Sequence, residues 1–167
     1  MQLLTTLISI FLMYSCATKE YNSHHIVVQN NYVNIPEINK MDVPAKILLS
    51  WYLFAYGNEC YSSSNSVKCK ILKELNIPDE CHLSNIKKLN KWLSNDKLIQ
   101  FKLKKNCPLL PTKGAIQNKI IDIVINRKMD TFNITFKANG LNNIQEKTWN
   151  IEQSDFYVLK GKSLVKI

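Results

Sequence analysis

Apolar positions along the chain follow two different periods. In KILLSWYLFAY, residues 46–56, they run nearly all round a helical wheel, which predicts a deeply buried helix. Asp42 can cap that helix, Pro44 suits its first turn, and Gly57 falls where helices end. Ser66 can cap a short helix through about Leu75, with Pro78 closing the region. Ser84 can cap SNIKKLNKWLSN, in which Ile86, Leu89, Trp92 and Leu93 share a face opposite Lys87, Lys88 and Lys91. From Lys97 the period falls to two. LIQFKL sets Ile99, Phe101 and Leu103 together, and NKIIDIVINR aligns Ile121, Ile123 and Ile125. After the turn Lys128-Met129-Asp130, Phe132, Ile134 and Phe136 alternate with Thr131, Asn133, Thr135 and Lys137. Gly140 and the Asn pair behind it mark a turn, KTWNIE points Trp149 and Ile151 inward, and FYVLKGKSLVKI forms a last hairpin turning at Lys160-Gly161.

Helices followed by strands predict an α+β domain, with N-terminal helices packed on a C-terminal antiparallel meander sheet of five or six strands. This element order resembles the cystatin-like and nuclear-transport-factor-2-like rolls. Residues 17–43 are polar, Asn-rich and without helical period, and read as a tether with one short strand near Ile26 to Val28.

The first fifteen residues carry no charged side chain, and Leu3 to Met13 is almost wholly apolar. That length suits the apolar core of a secretory signal and is too short to span a bilayer. Ser15 and Cys16 follow, and Met13-Tyr14-Ser15-Cys16 resembles the lipobox of bacterial lipoproteins. The resemblance implies that Cys16 becomes the acylated first residue of the mature protein, lipid-anchored in the cell membrane or outer membrane and facing periplasm or surface. A conventionally cleaved signal and a buried N-terminal helix are the alternatives. The expected organisation is a signal over 1–15, a flexible tether over 16–43 and one globular domain over 44–167.

Four further cysteines, Cys60, Cys69, Cys81 and Cys107, read as two disulfides in an exported domain, with three possible connectivities. Sequential pairing, Cys60 with Cys69 and Cys81 with Cys107, closes the shortest loops. Their spacing does not suit zinc, and no metal or cofactor is expected.

The formal net charge of +9 is unevenly spread. Residues 16–96 hold nine Lys against eight acids, whereas residues 97–167 hold thirteen Lys and Arg against five acids. Lys102, Lys104, Lys137, Lys147, Lys160, Lys162 and Lys166 fall on expected exposed positions, which suggests a basic face for an acidic protein or an anionic envelope component. A solvated sheet face kept from edge-to-edge association is the plainer reading. A single arginine, Arg127, argues against base-reading contacts with nucleic acid.

Catalytic signatures are missing. No G-x-S-x-G, H-E-x-x-H, P-loop or G-x-G-x-x-G occurs. His24 and His25 fall in the expected tether, His82 adjoins a cysteine expected to be oxidised, and Asp122 should face solvent between two inward isoleucines. The expected function is therefore a lipid-anchored, non-enzymatic binding module, of an immunity type or binding an acidic partner. The alternative is a small-ligand carrier or enzyme with a pocket between the first helix and the sheet, where Trp51, Tyr52, Phe54 and Tyr56 crowd together.

Overall fold

The computed structural model describes residues 21–28, 32–56, 66–105 and 116–167. In chain order the elements are β1 (Tyr21–Val28), β2 (Tyr32–Val33), α1 (Ile35–Lys40), α2 (Val43–Tyr56), α3 (Val67–Glu74), α4 (Leu83–Trp92), α5 (Lys97–Lys105), β3 (Ile116–Lys128), β4 (Thr131–Asn142), β5 (Lys147–Lys160) and β6 (Ser163–Lys166). The strands form one antiparallel six-stranded sheet in the order β2-β1-β3-β4-β5-β6. The fold is α+β. It does not begin with helices, however: β1 and β2 precede them, and β1 pairs with β3 after the helices have intervened.

The segment expected to be a tether is thereby corrected from Tyr21 onward. Ile26, Val27, Val33 and Ile38 are buried, and His24 Nδ1 meets Glu37 Oε2 of α1 at 3.1 Å. These apolar residues are too sparse to show a period. They are held by pairing with a distant strand, which no local pattern reports. The boundary at residue 43 therefore does not stand. Residues 1–20, including Cys16, lie outside the described residues.

The helix-forming signals upstream of Lys97 mostly translate directly. Asp42 Oδ1 accepts from Ala45 N at 3.1 Å, and Ser66 Oγ accepts from Cys69 N at 3.2 Å. At α4 the cap is His82, whose Nδ1 accepts from Ser84 N at 3.4 Å, so the helix starts before the expected Ser84. LIQFKL is a helix instead of a strand. Asp96 Oδ1 accepts from Ile99 N at 3.0 Å, and the Gln100 side chain donates to Leu93 O at 3.1 Å. Ile99 and Leu103, four residues apart, are buried, while Phe101 is 58 % exposed. Three alternating apolar residues fit both periods, and the cap decides between them.

Burial along β4 alternates strictly from Phe132 through Ala138, so Phe132, Ile134, Phe136 and Ala138 line one inner face. β4 runs on to Asn142, past the turn expected at Gly140, and the chain reverses over residues 143–146. In β3 a bulge between Ile120 and Asp122 shifts the pattern. Ile120 therefore takes the inner position expected for Ile121, which is 38 % exposed.

Helices cover the inner face. The Tyr52 and Tyr56 rings of α2 lie 5.9 and 5.5 Å from that of Phe136, and the Tyr52 hydroxyl donates to the Asp155 carboxylate on β5. Asp155 also accepts from Gln153 and from Lys166, each at 2.8 Å. Among the helices, the buried Lys68 ammonium meets Glu80 at 2.6 Å, and Ser50 donates to Asn85 at 2.7 Å. Cys69 and Cys81 are both disulfide-bonded, while Cys60, Cys107 and the pairing lie outside the described residues.

The turn into β4 is strained. Met129 takes φ +57°, in the left-handed region that costs a non-glycine residue about 1–2 kcal/mol. Arg127 Nε donating to Met129 O at 2.7 Å and Leu159 N donating to Asp130 O at 2.8 Å hold it there.

Burial raises the Asp155 carboxyl, but Lys166, Tyr52 and Gln153 outweigh it and hold the group below the ordinary carboxylate value. A depressed folded value means that this stability is present above the unfolded value of about 3.9 and is lost as pH falls through the folded one. Replacing Asp155→Asn should cost about 1–3 kcal/mol at neutral pH and flatten the acid limb, as read from urea unfolding midpoints across pH.

Candidate functional site at the ends of the sheet

The outer face of the sheet follows from the same alternation. Asp122, Val124, Asn126 and Lys128 of β3 share it with Thr131, Asn133, Thr135, Lys137 and Asn139 of β4 and with Asn150, Glu152, Ser154, Phe156 and Lys160 of β5. Among the described residues no helix packs on it. Its middle is tied by side-chain contacts: Lys137 bonds Glu152 at 2.7 Å, Ser23 donates to Asn126 at 2.6 Å, and Asn133 donates to Ser154 at 3.2 Å. Glu152 raises the Lys137 ammonium above its ordinary value, with a further contribution from Asp122.

At the end of the sheet near the β4–β5 turn, a hollow of about 460 Å³ is lined by Lys119, Asn139, Gly140, Leu141, Thr148, Trp149 and Asn150. Gly140 pairs with Trp149 across the strands, and both fall on the inner face of the alternation. A Cβ on Gly140 would stand 1.9 Å from Trp149 Cε2, so only glycine lets the indole lie against β4. The indole is half-buried, Lys119 and Lys147 are exposed, Leu141 is 38 % exposed, and Ile144 at the turn is 79 % exposed. Glu146 is the carboxylate of that turn. An aromatic anchor beside aliphatic groups and two ammonium groups suits an acidic protein surface, since Trp residues in packed pockets carry much of an interface's energy.

At the opposite end a hollow of about 570 Å³ is lined by Tyr21, Lys128, Met129, Asp130, Thr131, Asn133 and Phe156 among others. Tyr21 is 63 % exposed and Phe156 48 %.

The basic face expected from sequence is not one face. Lys102 sits on α5, in the helix layer, with its ammonium 5.1 Å from the centre of the Tyr56 ring. Lys137 is engaged with Glu152, and Lys166 points inward to Asp155. Lys147 and Lys160 bound β5 at opposite ends, about 45 Å apart at strand rise. Lys160 and Lys162 flank the last hairpin, and the side chain of Lys104 lies outside the described residues. Register places Lys119 and Lys147 toward one end of the sheet and Lys128, Lys160 and Lys162 at the other.

The remaining candidates fall outside these hollows. Trp51 and Phe54 are buried with ring centres 5.9 Å apart, and Tyr52, Tyr56 and Phe136 fill the space between α2 and the sheet. Burial raises Tyr52 and Tyr157 well above the ordinary phenol range, and the Asp155 charge adds to it in both. These hydroxyls therefore stay protonated as donors. His24 is held by Glu37, His82 is an exposed cap, and Asp122 is outward beside Lys137. Among the described residues no group of three or more His, Cys, Asp or Glu could hold a metal ion, and no helix is long and apolar enough to cross a membrane.

Sequence reasoning missed Asp155, Lys119 and the Gly140–Trp149 contact. A glycine inside a strand pattern is the available signal for the last, because it marks close approach as well as a turn. Compared with protein-family models, curated proteins and solved structures, the chain matches none.

Replacing Gly140→Ala should expel the Trp149 indole toward solvent. The expected result is a stability loss of about 1–3 kcal/mol and a red shift in tryptophan emission that Trp149→Phe abolishes.

Proposed function

We propose that this chain is an exported, lipid-anchored binding module that acts without catalysis and holds an acidic protein at the Trp149 end of its sheet. An immunity-type protein, neutralising a toxin within the cell envelope, is the specific form of this reading. Export is supported by the apolar run Leu3–Met13 ahead of Ser15-Cys16 and by the oxidised Cys69 and Cys81. Anchoring at Cys16 follows from the lipobox resemblance. A single acyl chain binds marginally, whereas several on one cysteine hold firmly, at about 0.8 kcal/mol per buried CH₂.

The observation that carries the binding reading is the half-buried Trp149, seated on Gly140 in a hollow that Lys119 and Leu141 also line, at the end of the sheet where Lys147 and Ile144 are exposed. The middle of the outer face is tied down by its own contacts, whereas at this end Lys119 and Lys147 are exposed. Charge at the rim would speed encounter, and the indole would supply the buried contact.

Intact mass of the mature protein should begin at Cys16 with acyl chains and show the thiols of Cys60, Cys69, Cys81 and Cys107 oxidised. Cross-linked capture from the envelope fraction should yield an acidic protein. Lys119→Glu with Lys147→Glu, and separately Trp149→Ala, should reduce that capture at least about tenfold. Lys88→Glu on the exposed face of α4 should leave it unchanged. Equal capture by all four proteins overturns the binding site.

A further inference from the structure

The two ends of the sheet differ in where the chain enters. Tyr21 opens β1 and pairs with Lys128, the last residue of β3. Thr131 pairs with Val158, and Leu159 N donates to Asp130 O, so the β3–β4 and β5–β6 turns lie side by side at that end. Four residues separate Cys16 from Tyr21, so even a fully extended chain puts this end within about 18 Å of residue 16.

The same end is chemically distinct. Lys128, Lys160 and Lys162 are exposed there, with Asp130 the acid of the turns. Met129 projects at 58 % exposure from the left-handed position between β3 and β4. Glycine or asparagine would relieve that backbone, and Met129 contributes nothing to the buried core, so neither folding nor packing accounts for a long apolar side chain at the tip. Tyr21 adds an exposed ring with a polar head.

We infer that this end of the sheet, through Tyr21, Lys128, Met129, Lys160 and Lys162, rests on an anionic lipid surface and holds the Trp149 end away from it. The inference rests on the proposed anchor at Cys16, which fixes which end meets the bilayer. Each lysine close to an anionic surface is worth about fivefold in association, and an apolar tip with an interfacial tyrosine adds to this. With β5 spanning about 45 Å from Lys147 to Lys160, the partner site would clear the headgroups.

The test is backbone hydrogen exchange on the full mature protein, bound to vesicles of phosphatidylethanolamine with phosphatidylglycerol or to vesicles of phosphatidylcholine. Amides of 128–131 and 160–163 should exchange several-fold more slowly on the anionic vesicles alone. Lys128→Glu with Lys160→Glu and Lys162→Glu should reduce the docked population by roughly a hundredfold and remove the difference. Met129→Asn should weaken docking while leaving the unfolding midpoint unchanged or raised. Equal exchange on both vesicle types overturns the inference, and so does slowed exchange at 143–149 in place of the two turns. Intact mass on the same samples reports the anchor separately: protection without acylation supports the lipid-facing end and removes the anchor, and acylation without protection does the reverse.

Discussion

Strict alternation along β4 is the constraint on which the other contacts depend. Phe132, Ile134, Phe136 and Ala138 face the helices, and Asn133, Thr135 and Lys137 face away. A slip of one residue would exchange the two sets and turn the aromatic rings into water. Pairing with β3 on one side and β5 on the other then fixes which residues of those strands join each face. The position of Asp155 opposite Ile134, within reach of Tyr52, is one result, and that of Trp149 opposite Gly140 is another.

The buried charges described on the inner side are held by partners. Asp155 gathers Tyr52, Gln153 and Lys166, and Lys68 meets Glu80 in the helix layer. Removing one partner of such a buried pair leaves an uncompensated charge, so these groups specify how helices and sheet meet and are not available for reaction. What the molecule can offer another molecule lies on the outer side and at the two ends of the sheet. There the mid-sheet lysine is neutralised by Glu152, and the open ammonium groups gather at the two ends.

Local signals in the sequence reached the helices and the hairpins, because caps, turns and alternation are written within a dozen residues. Asp42, Ser66 and the Phe132–Phe136 series are of that kind. Three features escaped for distinct reasons. LIQFKL satisfies two periods at once, and the Asp96 cap, two residues upstream, decides it. Ile121 was displaced by a bulge that no single residue announces. β1 is polar on most positions and is a strand only because β3 lies beside it. The site was less legible than the fold. Charge excess in the second half of the chain was visible, but its division between two ends of one sheet is a property of strand length and register, and Asp155 became an inward carboxylate only through its place on β5.

The pairing of β1 with β3 joins Tyr21 to Lys128 across all five described helices. Contacts so distant in sequence slow the search for the native topology, since a long loop must close before any of them forms. During synthesis the largely apolar α2 is made long before the strand that will cover it. A polypeptide with this layout spends an extended interval with that helix bare, which makes it a natural client for chaperones that bind greasy segments until the C-terminal half arrives.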